Sequence, residues 1–154
     1  MPGSKVESGG GRYPSVDDLL AQASANTGLT DFGPGDSREG LGWLLKSVAD
    51  DAEFDPSVDE AVVATFRRRL ENRLHLEAWL AAHPETLEAP VLGPVDIIGL
   101  PRTGTTALAN MMSLDPQFRC LRSWEQAEPI PPPTPSTDAT DARRMRAVES
   151  NKDL

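Results

Sequence analysis

The sequence predicts an α/β protein in which a helical N-terminal layer precedes a partial parallel sheet. Two observations carry that reading. Apolar residues recur at helical spacing through residue 83, with capping and breaking residues between the runs. From Pro90 the pattern changes to a short β-branched run, a glycine-bounded turn and a helix, the order of a strand–loop–helix unit.

The first fourteen residues are rich in Gly and Ser and lack the apolar stretch of a signal peptide, so a disordered tail is expected over 1–14. Ser15 is placed to cap a helix from Val16 to Asn26 that stops at Gly28. Gly33-Pro34-Gly35 marks a loop, and Ser37 can cap a second helix from Arg38 to about Ala52, where Asp55-Pro56 breaks the pattern. In the third helix Ser57 and Glu60 have the spacing of a capping box. Val58, Val62, Phe66, Leu70 and Leu74 then recur every four residues, giving one apolar face. His83-Pro84 ends it, because a residue before proline avoids the α region. The helical layer is expected to occupy 15–89.

The second region is expected over 90–154. Pro94-Val95-Asp96-Ile97-Ile98-Gly99 reads as a strand, and Thr105 to Leu114 as a helix whose Leu108, Met111 and Met112 can face a sheet. Phe118 to Ser123 reads as a second strand. Pro129 to Pro135 is an extended connector, followed by a charged helix from about Asp138 through Arg143, Met145 and Val148. A parallel sheet needs more strands, with both faces covered. The expectation is therefore the first part of a longer domain, its exposed sheet edge favouring association into a homo-oligomer.

Composition narrows the function. The 154 residues carry a formal charge of −9, which opposes binding to nucleic acid or an anionic membrane, since both need surplus Lys and Arg. No run approaches the ~18 apolar residues of a membrane span. One cysteine, Cys120, leaves no internal disulfide, and a cytoplasmic location is the expectation. His75 and His83 have no partner at metal-ligand spacing, so no metal is expected.

The chemistry concentrates at Gly99-Leu100-Pro101-Arg102-Thr103-Gly104-Thr105-Thr106, between the first strand and its helix. Glycines allow a tight bend, successive N–H groups converge on one anion, and the helix N-terminus adds partial positive charge. A nucleotide triphosphatase loop places Lys after the second Gly. Here Thr105 holds that position and the cation is Arg102, inside the loop, where a guanidinium suits charge on a bridging phosphate–sulfate oxygen.

This segment resembles the 5′-phosphosulfate loop of sulfotransferases that use 3′-phosphoadenosine 5′-phosphosulfate (PAPS), in particular the bacterial form with Pro-Arg-Ser/Thr-Gly-Thr-Thr. The resemblance runs from His83-Pro84-Glu85 through Leu114-Asp115-Pro116 to Trp124-Glu125 and the prolines after it. It implies a P-loop-like sheet, PAPS as sulfuryl donor without a metal, and a 5′-phosphate held by Pro101, Arg102, Thr103, Gly104, Thr105 and Thr106. It also implies a 3′-phosphate site from an Arg and a Ser, which no segment of this sequence supplies.

Glu125 is the candidate base for an acceptor hydroxyl or amine, with Glu128 a weaker rival; the bland reading of Glu125 is a solvated loop carboxylate. Trp124 is either an acceptor-pocket wall or core packing, and Cys120 reads as a buried filler. Arg67, Arg68, Arg69 and Arg73 read as a solvated or snorkelling face, with Arg69 and Arg73 close enough to the apolar stripe for an ion pair with the sheet domain. The expected function is sulfuryl transfer to a small-molecule acceptor, with Arg102 and Glu125 as the catalytic pair. Two alternatives stay open: a divergent nucleotide-dependent kinase, or a non-catalytic fragment serving as an interaction surface.

Overall fold

Helix α1, Val16–Thr27, begins where Ser15 and Asp18 cap each other: the Asp18 N–H donates to Ser15 Oγ at 3.1 Å, and the Ser15 N–H donates to Asp18 Oδ2 at 3.1 Å. It closes at Gly28, whose N–H donates to the Ser24 carbonyl at 2.8 Å. Helix α2 spans Arg38–Asp51. Helix α3, Pro56–Ala82, is 27 residues long, roughly 40 Å. Asp55, not Ser57, caps it, accepting from the Ser57 N–H at 2.9 Å, and Pro56 occupies the first turn, where its missing N–H costs nothing. The Ser57–Glu60 box expected from spacing is thereby replaced by a cap two residues earlier.

These features come from a computed structural model that describes residues 12–35, 37–51, 55–90 and 93–150. The chain divides into two units, Met1–His83 and Pro84–Leu154.

In the first unit, α1 packs on α3 around Leu19, Leu20, Ala23, Leu70 and Leu74, joined by Tyr13 and Leu45, with Val62, Val63 and Phe66 at the margin. Leu19 and Leu74 are fully buried, each contributing about 1.5–3 kcal/mol by leaving water. Of the expected α3 stripe, Val58 stands apart, exposed at the N-terminal end of the helix. Ordered contacts begin inside the tail expected over 1–14. Tyr13 is buried and its hydroxyl donates to Asp59 Oδ1, while Arg12 Nε donates to Oδ2 at 2.5 Å. Burial works to raise the Asp59 pKa, but these hydrogen bonds outweigh it and the carboxyl lies below its ordinary value. Residues 1–11 lie outside the described residues.

Within the arginine run Arg73 is half-buried, the snorkelling alternative rather than the solvated one. Its Nε donates to the Phe32 carbonyl and its NH2 to the Pro34 carbonyl at 3.0 Å, tying the loop after α1 to α3. His83 ends α3 as expected, stacked on Trp79 with ring centroids 4.2 Å apart.

The second unit holds a 3-10 turn over Pro84–Glu88, then α4 (Thr105–Met112), α5 (Ser123–Ala127), a 3-10 turn over Asp138–Thr140, and α6 (Ala142–Ser150). Neither expected strand forms a ladder among the described residues: 93–100 runs without regular structure, and 118–122 leads directly into α5. The reason is physical. A strand is defined by hydrogen bonding to a neighbour, and no described segment of this unit pairs with either run. The side chains meant for the sheet are accordingly bare, with Ile98 93% and Met111 68% exposed. Cys120, read as a buried filler, is exposed for the same reason.

Candidate active site

Pro101 leads the chain into a tight bend, and Arg102 follows at φ 65°, in the left-handed region. A residue with a Cβ pays roughly 1–2 kcal/mol to sit there. Gly104 at φ 87° completes the bend and stands at the N-cap of α4. Gly99 is required for a different reason: a Cβ there would lie 2.7 Å from Thr103 Oγ1 and 2.8 Å from Thr105 Cγ2. The turn that leads into α4 is thus packed against its own threonines.

No side chain caps α4, so the N–H groups of its first turn keep their hydrogen-bonding capacity. Arg102 is exposed and makes no hydrogen bond or ion pair among the described residues. An open helix N-terminus beside an unengaged guanidinium is an anion-binding arrangement, and the residues fit a terminal or bridging phosphate. Thr105 and Thr106 begin the helix as expected.

Glu125 is neither solvated nor in a loop. It sits in α5, 4% exposed, with Oε2 accepting from the Arg122 N–H at 2.7 Å and Oε1 from Arg119 NH2 at 2.6 Å. It stabilises the α5 N-terminus, and it borders an open cleft of about 240 Å³ also lined by Arg119, Cys120, Arg122 and Asp138. The structure shows no hydrogen bond between Glu125 and the loop at 99–106. Glu128 is exposed and pairs with Arg146 at 2.8 Å. Trp124 is buried, with the Arg143 guanidinium 5.2 Å and that of Arg122 5.9 Å from its ring, which makes it core packing.

Arg143 is the residue that sequence reasoning undervalued. Buried in α6, it donates to the Glu128 carbonyl at 2.6 Å, to the Pro131 carbonyl at 2.7 Å, and through two nitrogens to Asp141 at 2.9 and 2.6 Å. Hydrogen bonds from Arg143 hold the Asp141 carboxyl down to about 2. The proline connector is therefore pinned to α6. A charged helix with arginines at 143, 144 and 146 gives no sign of which one turns inward.

Among the described residues, no group of three or more His, Cys, Asp and Glu side chains is placed to hold a metal, and no helix is long and apolar enough to cross a membrane.

The profile of the sulfotransferase family matches residues 94–153, the segment holding the loop, α4, Trp124 and α6. The chain is also similar to two mycobacterial structures. One is sulfotransferase STF9 from Mycobacterium avium, at 34% identity and a TM-score of 0.80, covering 89% of this chain. The other is sulfotransferase STF1 from Mycobacterium tuberculosis H37Rv, at 31% identity and a TM-score of 0.76, covering 86% of this chain. This chain spans 35% and 37% of the lengths of those two. No curated protein matches the sequence.

Proposed function

We propose that this chain carries the phosphosulfate-binding part of a sulfotransferase that moves a sulfuryl group from PAPS to a hydroxyl or amine. The observation that carries the reading is Arg102, held at positive φ with no partner beside the uncapped N-terminus of α4, within the family-matched segment.

PAPS, when bound, supplies the activated sulfuryl group and its phosphate leaving group. The backbone N–H groups from Thr103 to Thr106 and the hydroxyls of Thr105 and Thr106 would hold the 5′-phosphate. Arg102 would offset the charge that grows on the bridging oxygen as the S–O bond breaks. Such transfer depends mainly on positioning and electrostatics, and a fixed guanidinium supplies both. Glu125 would take the acceptor proton through Oε1, which requires Arg119 to swing aside. The Arg119 side chain is 65% exposed and has room to do so.

Calorimetric titration with adenosine 3′,5′-bisphosphate tests the loop. Arg102→Gly is the discriminating variant, because Gly accepts φ 65° freely and removes only the cation. Affinity should fall more than tenfold, the usual loss with a charge-assisted phosphate contact. Unchanged affinity, or binding that requires magnesium and favours ATP, would overturn the reading.

A further inference from the structure

We propose that the Thr103 hydroxyl has a positioning role, locking the loop and aiming Arg102, and that this residue meets the anion through its backbone N–H and not through its side chain. The consequence for binding rests on the phosphosulfate reading above; the conformational claim does not.

Leu100-Pro101-Arg102-Thr103 has proline second and a positive φ third, the pattern of a type II turn. Such turns place Gly or Asn third, because other residues resist that region. Arg102 stands there instead, so something must hold the bend closed against its preference. Thr103 does so: its Oγ1 donates to the Leu100 carbonyl at 2.6 Å, from the fourth turn residue back to the first. That hydroxyl also sits where a Gly99 Cβ would be, 2.7 Å away, so the absence of a side chain at Gly99 is what lets Thr103 reach inward.

The hydroxyl's single proton is spent on Leu100 and cannot also be donated to a phosphate oxygen. Thr103 therefore differs from Thr105 and Thr106, whose hydroxyls the structure shows in no hydrogen bond. The loop is set for Arg102 before any ligand arrives, which reduces the ordering cost of binding.

Two variants of the full chain separate this from direct contact. Thr103→Ser keeps the donor, and Thr103→Val keeps the shape without it. In the ligand-free protein, a strong intraresidue NOE between the Arg102 amide proton and Hα reports positive φ. It should be strong in wild type and Thr103→Ser and weak in Thr103→Val, with amide signals outside 99–106 unchanged. Thr103→Ala is read the same way if Val disturbs signals beyond the loop. Affinity for adenosine 3′,5′-bisphosphate should fall about tenfold in Thr103→Val and recover in Thr103→Ser. A strong NOE persisting in Thr103→Val overturns the proposal, and lost affinity with that NOE intact would make the hydroxyl a direct ligand. If no variant binds, wild type included, the phosphosulfate reading fails while the NOE still decides the role of Thr103.

Discussion

Replacing Arg143 with Met should destabilise the second unit more than any other single surface-to-core change in it. Met preserves much of the stem's apolar volume while removing the guanidinium. The Glu128 and Pro131 carbonyls then lose their donor, and the Asp141 carboxylate keeps only backbone N–H donors. Each of the two part-buried carbonyls left without its donor costs about 1–3 kcal/mol, the lower figure where water replaces the guanidinium. About 3 kcal/mol is therefore the expected net loss, roughly 12–24 °C of melting temperature for a unit of this size. Urea unfolding followed by fluorescence isolates the effect in a Trp43→Phe, Trp79→Phe background, which leaves Trp124 against Arg143 as the reporter. Arg143→Lys should recover only part of the loss, because a single ammonium cannot span both carbonyls and the carboxylate. A shift under about 0.5 kcal/mol in Arg143→Met, the level of an ordinary surface change, would refute the clamp.

Gly99→Ala should leave global stability nearly unchanged but weaken anion binding by about 1–3 kcal/mol, since its Cβ displaces Thr103 and Thr105; binding equal to wild type by titration calorimetry would contradict the packing described. Leu74→Ala should cost the first unit about 2–5 kcal/mol in denaturant unfolding, because Leu74 is fully buried between α1 and α3. The Asp141 carboxyl is held below its ordinary value, so its contribution is complete above about 3.8 and lost as pH falls towards about 2. Asp141→Asn should remove that acid-side loss from the Trp124 unfolding profile, and an unchanged profile would show that Asp141 does not carry it.

The helical layer was legible because its signals are local. Ser15 with Asp18, Gly28, Asp55-Pro56 and His83-Pro84 act within a turn of where they stand, and the four-residue apolar period of α3 needs only one partner helix. The loop at 99–106 was legible for the same reason: glycine, proline and a helix start are nearest-neighbour facts. The strands were not. Pro94 to Gly99 and Phe118 to Ser123 have β-branched or apolar content, but a ladder is a relation between distant segments, and here 93–100 finds none. Glu125 was read as a residue just after a strand, but Ser123-Trp124-Glu125 opens a helix, and its carboxylate accepts from Arg122 and Arg119. Arg143 was missed because inward and outward arginines look alike in a charged helix whose counterpart is the backbone of a proline connector.

The central claim is that residues 99–106 receive the 5′-phosphate of the donor, and amide chemical-shift mapping tests it most directly. Titrating the isotope-labelled chain with adenosine 3′,5′-bisphosphate should move the amides of Thr103, Gly104, Thr105 and Thr106 together, along with the Arg102 side-chain Nε–H. Binding should be weak, because the loop meets the 5′-phosphate alone. Adenosine 3′-monophosphate, which lacks the 5′ group, should leave those signals in place. Loop amides that stay fixed, or that move equally with the 3′-monophosphate, would contradict the assignment of this turn as the phosphosulfate site.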